Sequence, residues 1–359
     1  MVQRAMKFTP SVLLSAPRRS AGIPKPAGTW ILYTQSTYSF QTHQKTTELR
    51  VLSVETGDSH ELAKDDEISD LNWLDDDEFV CLQAEKNGGT SLYVASVGGC
   101  LKSGGGGNGE KAFYVAGTID AAAANLRVCR LDGERGSEFA VVVSAAACTD
   151  GSLFTPEKAA RKTQSSGRLY DSLYVRHWDH YQEAERASLW FGKLSRKGGQ
   201  GEKFELSSLT NALKSTGLES PMAPFGGTDH FDISPRGIIF VAKDPVLNPA
   251  LNTSCHVYIK TITSWSSERN EALPAMTAPR KVTIPVPGFE GSCTSPVFAP
   301  DGGRAAFLMM KKNGYEADRN AVFAVHVGWA GETELRAEAV VETKVYESEW
   351  DRSELARCY

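Results

Sequence analysis

This 359-residue sequence predicts an all-β fold, a partial β-propeller of about five four-stranded blades whose ring is not closed. Three observations predict it. A strand–turn–strand pattern recurs along the chain, the strands between the turns show a period of two, and helical periodicity is scarce. The alternative all-β arrangement, a pair of sandwiches, lacks an obvious linker near the middle of the chain.

The recurring unit opens with two apolar strands joined by a tight polar turn, as in GIPKPAGTWILYTQS (22–36), LNWLDDDEFVCLQA (71–84), VCRLDGERGSEFAVVVSA (128–145), FDISPRGIIFVAKD (231–244) and SPVFAPDGGRAAFLMM (295–310). Each turn is rich in Pro, Gly or Asp, which supply the fixed or positive backbone angles of a hairpin reversal. Third strands follow as ELRVLSVETG (48–57), SLYVASVGG (91–99), SLWFGKLSRKGG (188–199), HVYIKTITS (256–264) and AVFAVHVGWAGE (321–332), where alternation argues strands with one face packed. SHELAK, KAFYVAG, KFELSSL, RKVTIPV and LRAEAVV supply a fourth strand for each unit. Only short stretches such as SLTNALKS (208–215) are expected to turn as helix. KSGGGGNGE (102–110) reads as a connection between the last two strands of the second blade, because no GK[ST] follows it as a phosphate-binding loop requires.

The expected division is an N-terminal extension over 1–20, an incomplete propeller over 21–346 and the start of a further blade with a divergent tail over 347–359. Successive turns are spaced evenly except between the third and fourth, where residues 146–187 are inserted between the second and third strands of the third blade. Long insertions on a repeat scaffold are where binding surfaces are usually built.

Composition excludes several function classes. Lys and Arg total 39 against 44 Asp and Glu, a formal charge of −5, and no basic stripe interleaved with aromatics offers a nucleic-acid surface. No apolar run is long enough for a membrane span, and SVLLSA near the N-terminus is shorter than a signal-peptide core, so no membrane partner and a cytoplasmic chain are expected. The 7 cysteines form no CxxC pair, which reads as free thiols in a reducing compartment rather than a zinc site or a disulfide framework. No cofactor is implied.

The insertion carries GRLYDSLYVRHWDHY (167–181). On a helix, His177 and His180 would share a face and could bind zinc. Read as a strand, the segment places Tyr174, Arg176 and Trp178 on one side and Val175, His177 and Asp179 on the other, and no third ligand follows, so no metal site is expected. Glu316 and Asp318 lie two apart, so in extended chain both carboxylates project to one face and can hold a cation such as a peptide's α-ammonium; an ion pair with Arg319 is the simpler account. APFGGTDHFDIS (223–234), with His230, reads as a loop entering the fourth blade. No GxSxG nucleophile elbow occurs anywhere, and Cys293 leads directly into a strand, so no catalytic residue is assigned.

Seven segments in order, LLSAPRRSAGIP (13–24), STYSFQTH (36–43), GRLYDSLYVRHWD (167–179), PFGGTDHFDISPRG (224–237), CTSPVFAPDG (293–302), YEADR (315–319) and WDRS (350–353), give the chain a resemblance to a known family. They are similar to the N-terminal propeller of fungal dipeptidyl-peptidase V, within the prolyl oligopeptidase family of serine peptidases, and resemble its intracellular branch. The resemblance implies a two-part enzyme in which a propeller of seven or eight blades caps an α/β-hydrolase domain carrying a Ser-Asp-His triad, restricts access to short peptides and lends side chains to the substrate pocket. On that reading the chain is a fragment truncated before the C-terminal hydrolase domain and inactive alone. Arg176, His177, Trp178 and Asp179 are the expected wall of the peptide pocket, and Glu316 and Asp318 the candidates for the substrate's amino terminus. The family's architecture leaves acylaminoacyl or oligopeptide hydrolysis open as the parent activity. A propeller kept as a non-catalytic protein-binding module is the alternative function.

Overall fold

The structure is a computed structural model and describes residues 9–75, 77–102, 112–131, 137–159, 166–171, 173, 175–177, 180–196, 203–262, 265, 276–314, 318–329 and 337–346. Residues 1–85 and 91–118 form one compact unit, and residues 86–90 and 119–359 a second.

The first unit opens with a single helical turn, α1 (Pro10–Ser15), started by Thr9, whose hydroxyl accepts from the Val12 N–H at 3.3 Å. Its first sheet holds β1 (Arg18–Arg19), β2 (Ile23–Pro24), β3 (Trp30–Ser39), β4 (Gln44–Ser53) and β5 (Ser59–Lys64), with β1 and β2 both pairing antiparallel to β3. The second sheet runs β6 (Ile68–Trp73), β7 (Glu78–Ala84), β8 (Thr90–Ser96) and, after α2 (Val97–Lys102), β9 (Phe113–Ile119). Leu32, Leu49, Val51 and Leu62 of the first sheet join Leu71, Phe79, Cys81 and Ala95 of the second in one buried cluster. Edge-to-face rings at Trp73, Phe79 and Phe113 extend it.

Among the described residues the second unit contains three larger sheets and a two-stranded hairpin. The third sheet is β10 (Ala123–Arg130), β11 (Glu138–Ala147), then, beyond α3 (Pro156–Ala159) and the hairpin β12 (Arg176–His177) and β13 (His180–Tyr181), β14 (Arg186–Arg196), with β15 (Phe204–Leu206) and β16 (Thr210–Asn211) both paired to β14. The fourth is β17 (Phe231–Ser234), β18 (Gly237–Lys243), β19 (Cys255–Thr261) and β20 (Arg280–Lys281). The fifth is β21 (Cys293–Phe298), β22 (Arg304–Met310), β23 (Asn320–Trp329) and β24 (Ala337–Tyr346). Apart from the short β2 and β16, which pair off the main path, the strands of each sheet follow one another in chain order, and no sheet closes on itself among the described residues. The fold is all-β, a series of propeller blades.

The fourth sheet shows how such blades are held. Along β18, Ile238, Phe240 and Ala242 face a cluster with Val142, Leu189, Phe191 and Leu213 of the third sheet and its loops. Ile239 and Val241 face the opposite way, into a cluster with Phe298, Phe307 and Phe323 of the fifth sheet and Phe289 of the segment before it. Alternation along this strand therefore divides one apolar run between two cores.

SLTNALKS, expected as helix, is instead β16 followed by a turn. Asn211 Oδ1 accepts from the Leu213 N–H at 2.8 Å and from Ser188 Oγ at 2.6 Å, an Asx arrangement that competes with helical hydrogen bonding. Conversely, α2 forms where the sequence reads VGG as the end of a strand. Its first turn is capped from the β6–β7 turn, where Asp77 Oδ1 accepts from the Gly98 N–H at 2.9 Å and the Asp77 carbonyl from the Val97 N–H at 2.8 Å. Residues 103–110 of the glycine-rich segment lie outside the described residues.

Candidate functional site

The segment between β11 and β14 leaves the scaffold through a tightly built root. The Cys148 N–H donates to the Ser152 carbonyl and the Gly151 N–H to the Cys148 carbonyl, each at 2.8 Å. Gly151 has φ +79°, and a Cβ there would meet Lys214 Cγ at 2.6 Å, so the turn requires glycine on both counts. Lys158 on α3 donates to the Leu153 carbonyl at 2.7 Å and to Ser152 Oγ at 2.8 Å. Asn211 Nδ2 donates to the Gly151 carbonyl at 3.0 Å, tying the root to β16 of the third sheet.

Beyond the root stands the hairpin β12–β13. The Gln182 N–H donates to the Val175 carbonyl at 3.0 Å, and the register pairs Arg176 with Tyr181 and His177 with His180. Directly opposed residues in an antiparallel ribbon share a face. The two histidines are thus brought side by side, which corrects the expectation that strand spacing separates them: the chain reverses between them instead of running on extended. Among the described residues no group of three or more His, Cys, Asp or Glu is placed to hold a metal.

Tyr181 is the hub of the hairpin. Its ring stacks on Tyr170 with centroids 6.5 Å apart and planes 18° apart, and the guanidinium carbons of Arg168 and Arg176 lie 4.8 and 6.0 Å from its centroid. Arg168 also pairs with Glu183, and Tyr170 Oη donates to the Gln182 carbonyl at 2.9 Å. Arg176 is exposed and His177 half-buried, while Leu169 and Leu173 are 92% and 70% exposed. The exposed residues of this segment thus include cations, aromatic rings and bare apolar side chains. Trp178 and Asp179 lie outside the described residues, as does Glu316. Asp318 is half-buried and its Oδ1 accepts from the Arg319 N–H at 2.8 Å. Nothing described brings Asp318 to the hairpin.

The loop 220–230 is a second built feature, which the sequence shows only as a glycine pair beside His230. The Met222 N–H donates to His230 Nδ1 at 3.0 Å, and the Gly226 N–H to the Met222 carbonyl at 2.8 Å. A Cβ on Gly226 would meet both His230 Nδ1 and the Met222 carbonyl at 2.5 Å. Burial lowers the His230 pKa, against the raising effect of Asp229, and because Nδ1 accepts the Met222 N–H the ring's proton sits on Nε2. Arg127 of β10 donates from Nη2 to the Thr228 carbonyl at 2.6 Å, and the Ser295 N–H of β21 donates to the Asp229 carbonyl at 2.9 Å. The loop is thereby tied to the first strands of the third and fifth sheets.

Two charged residues in first strands belong to the same network. Burial raises the Asp232 pKa while Arg127 lowers it, and Asp232 Oδ2 accepts from the Phe298 N–H at 2.8 Å. In the sequence they show only as a charged residue between apolar neighbours, LRV (126–128) and FDI (231–233). A further recurrence is conformational. The first strands of the second, third and fifth sheets shift register at Asp70, Asn125 and Ser295, whose φ values are +52°, +61° and +53°. Such a bulge re-aims a polar side chain out of the ladder, and Asp and Asn tolerate the left-handed region best. Asn125 uses it to donate from Nδ2 to Ser144 Oγ at 2.8 Å.

Comparison with known proteins places this geometry in context. No protein-family model matches the chain. Dipeptidyl-peptidase 5 of Aspergillus fumigatus is 30% identical over 332 residues, covering 90% of this chain and 43% of the relative. The probable dipeptidyl-peptidase 5 of Aspergillus clavatus is 32% identical with the same coverages, and dipeptidyl-peptidase 5 of Arthroderma otae is 32% identical over 97% of this chain and 44% of its own length. The chain is homologous to the dipeptidyl-peptidase 5 proteins. It spans somewhat under half the length of those dipeptidyl-peptidase 5 relatives, and what it matches is their propeller-like portion. Among solved structures, an acylaminoacyl peptidase of Pyrococcus horikoshii aligns over 90% of this chain and 42% of its own at 10% identity and a TM-score of 0.48. The β-propeller domain of the Trilobed protease of Pyrococcus furiosus aligns over 89% of this chain and 83% of its own at 10% identity and a TM-score of 0.36.

Proposed function

We propose that this chain is the substrate-gating propeller portion of a dipeptidyl-peptidase 5-like serine peptidase that hydrolyses short peptides. The observation that carries the proposal is homology to dipeptidyl-peptidase 5 over 90% of the chain at 30% identity, in a sequence with no GxSxG elbow to supply a serine nucleophile. In the complete enzyme a serine and its histidine base come from the hydrolase domain, and this portion selects and orients the peptide.

Support for a gating role comes from the hairpin. Arg176 and the Tyr170–Tyr181 stack present a cationic and aromatic wall on an insertion whose root is fixed to the sheet, so the wall is positioned by the scaffold. Arg176 and His177, with Trp178 and Asp179 beside them in the sequence, are proposed to line the peptide pocket, and Glu316 with Asp318 to receive the peptide's ammonium group. A short peptide offers a carboxylate or carbonyl to the arginine and apolar side chains to the rings.

The test is a chimera in which this chain replaces the matching portion of the Aspergillus fumigatus relative. The chain alone is expected to leave dipeptidyl chromogenic substrates uncleaved, and the chimera to turn them over. Arg176→Ala in the chimera is expected to raise KM severalfold with kcat little changed, the signature of lost ground-state binding. A folded chimera without activity, or turnover by the isolated chain, contradicts the proposal.

A further inference from the structure

The third strand of the fourth sheet and the first strand of the fifth meet at their opening residues, Cys255 on β19 and Cys293 on β21. Both are sealed from solvent, at 0% and 1% exposure, inside the aromatic cluster that joins the two sheets. Cys255 Sγ accepts from the Cys293 N–H at 3.1 Å and donates to the Cys293 carbonyl at 2.9 Å, with Ser292 Oγ 3.1 Å away. The Cys255 sulfur thus rests against the backbone of Cys293, with both thiols free in this structure, and a disulfide between them needs their Cα atoms within roughly 4.4–6.8 Å of each other. Each thiol also feels the burial that raises its pKa, and Cys255 raises that of Cys293 further.

We propose that Cys255 and Cys293 are the partners of a disulfide that clamps the fourth sheet to the fifth. The sealed thiols neither ionise readily nor admit a reagent, so the bond forms while the two sheets are still parting and closing. The oxidant is a disulfide of the glutathione class. The thiolate of one cysteine attacks a sulfur of that disulfide, forming a mixed disulfide and releasing one thiolate, which takes up a proton. The thiolate of the second cysteine then attacks the protein sulfur of the mixed disulfide, forming the Cys255–Cys293 bond and releasing the second thiolate. Two protein thiols are oxidised and one small disulfide is reduced to two thiols. The bond closes a loop across a separation of 38 residues, which limits the unfolded chain and holds β19 against β21. Once the sheets have closed, the same burial shields the bond from reductants.

The experiment refolds the full chain from urea in a mixture of reduced and oxidised glutathione, caps free thiols with N-ethylmaleimide and maps the peptides without reduction. The expected result is a linked pair of peptides holding Cys255 and Cys293, about 2 Da lighter than the two free peptides together, with the remaining cysteines capped. The oxidised chain is expected to melt several degrees above the chain refolded with reductant. That difference disappears in Cys255→Ser and in Cys293→Ser alike. Capping of both cysteines after oxidative refolding, glutathione adducts without a link, or a link from either residue to another cysteine overturns the proposal. The map reads the unsubstituted chain, so it decides the matter even where a variant does not fold.

Discussion

Buried and half-buried ionisable side chains, His230 and Lys260 among them, shape how the molecule responds to pH. His230 must be neutral for Nδ1 to accept the Met222 N–H at 3.0 Å, and burial holds its pKa below the ordinary 6.5. Below about pH 6.5 the unfolded chain therefore binds more protons than the folded one, and stability falls as pH drops toward the folded pKa. His256 adds to this trend, its pKa lowered by burial and by Lys281. Urea midpoints are expected to fall between pH 7 and pH 5, and His230→Asn, whose side-chain oxygen can take the place of Nδ1, to flatten that dependence; an unchanged slope in the variant contradicts the assignment. Lys260 works in the opposite range. Its ammonium is buried against the Ala212 carbonyl, and burial lowers its pKa from 10.5 to about 8. At pH 7 it is protonated in both states and carries a desolvation penalty, which is relieved as pH rises from 8 through 10.5 and the unfolded lysine also loses its proton. Lys260→Met is expected to raise stability at pH 7 by about 1–2 kcal/mol, with the gain shrinking toward pH 10.5. Neither role is legible in the sequence, because HVYIKTITS shows an ordinary strand lysine and only the neighbouring sheet makes it a buried one.

At the scale of elements, the hairpin and the loop before the fourth sheet differ in what they support. β12–β13 stands on its own contacts, Tyr170 on Tyr181 and two guanidinium groups beside the ring, and none of its residues belongs to the described cores. Tyr181→Ala is expected to speed tryptic cleavage at Arg168 and Arg176 severalfold while moving the melting temperature by no more than about 1 °C. Gly226 lies in a turn with no room for a Cβ, and Gly226→Ala is expected to cost about 2–3 kcal/mol in a urea melt, because the new carbon displaces His230 or the Met222 carbonyl. The existence and order of these elements follow from alternation and from turn residues, as FDISPRGIIFVAKD becoming β17, its turn and β18 illustrates. Three features stayed hidden for separate physical reasons. The reversal inside YVRHWDHY has no Gly or Pro to announce it, so an extended strand was the natural reading and the His177–His180 pairing was lost. α2 depends on Asp77, 21 residues before Gly98, and no local pattern records a cap from that distance. Asn211 turns SLTNALKS away from helix through partners in β14 and the insertion root, again outside the segment.

At the largest scale, within residues 119–359, the fourth sheet is held to both its neighbours by the double use of one apolar strand, β18. GIIFVAK is apolar at every position from Ile238 to Ala242, so both parities of the strand need a core to enter. The structure places them in two cores, Phe240 stacked on Tyr258 at 5.6 Å toward the third sheet and Ile239 with Val241 toward the fifth. β18 therefore sits where two sheet-on-sheet contacts share one backbone, and opening it exposes apolar surface on both sides at once. Its amides are expected to be among the slowest to exchange with deuterium in residues 119–359, slower than those of β12 and β13 by several orders of magnitude. Phe240→Ala removes a side chain with 0% exposure and is expected to cost about 3–5 kcal/mol, against about 1 kcal/mol for Ile239→Val. Because the two cores share β18, the Phe240 variant should also speed exchange in β21 and β22, although Phe240 faces the other cluster. Faster exchange confined to β10, β11 and β14 would show that the two cores open independently, and the sheets would then be separate cooperative units rather than one.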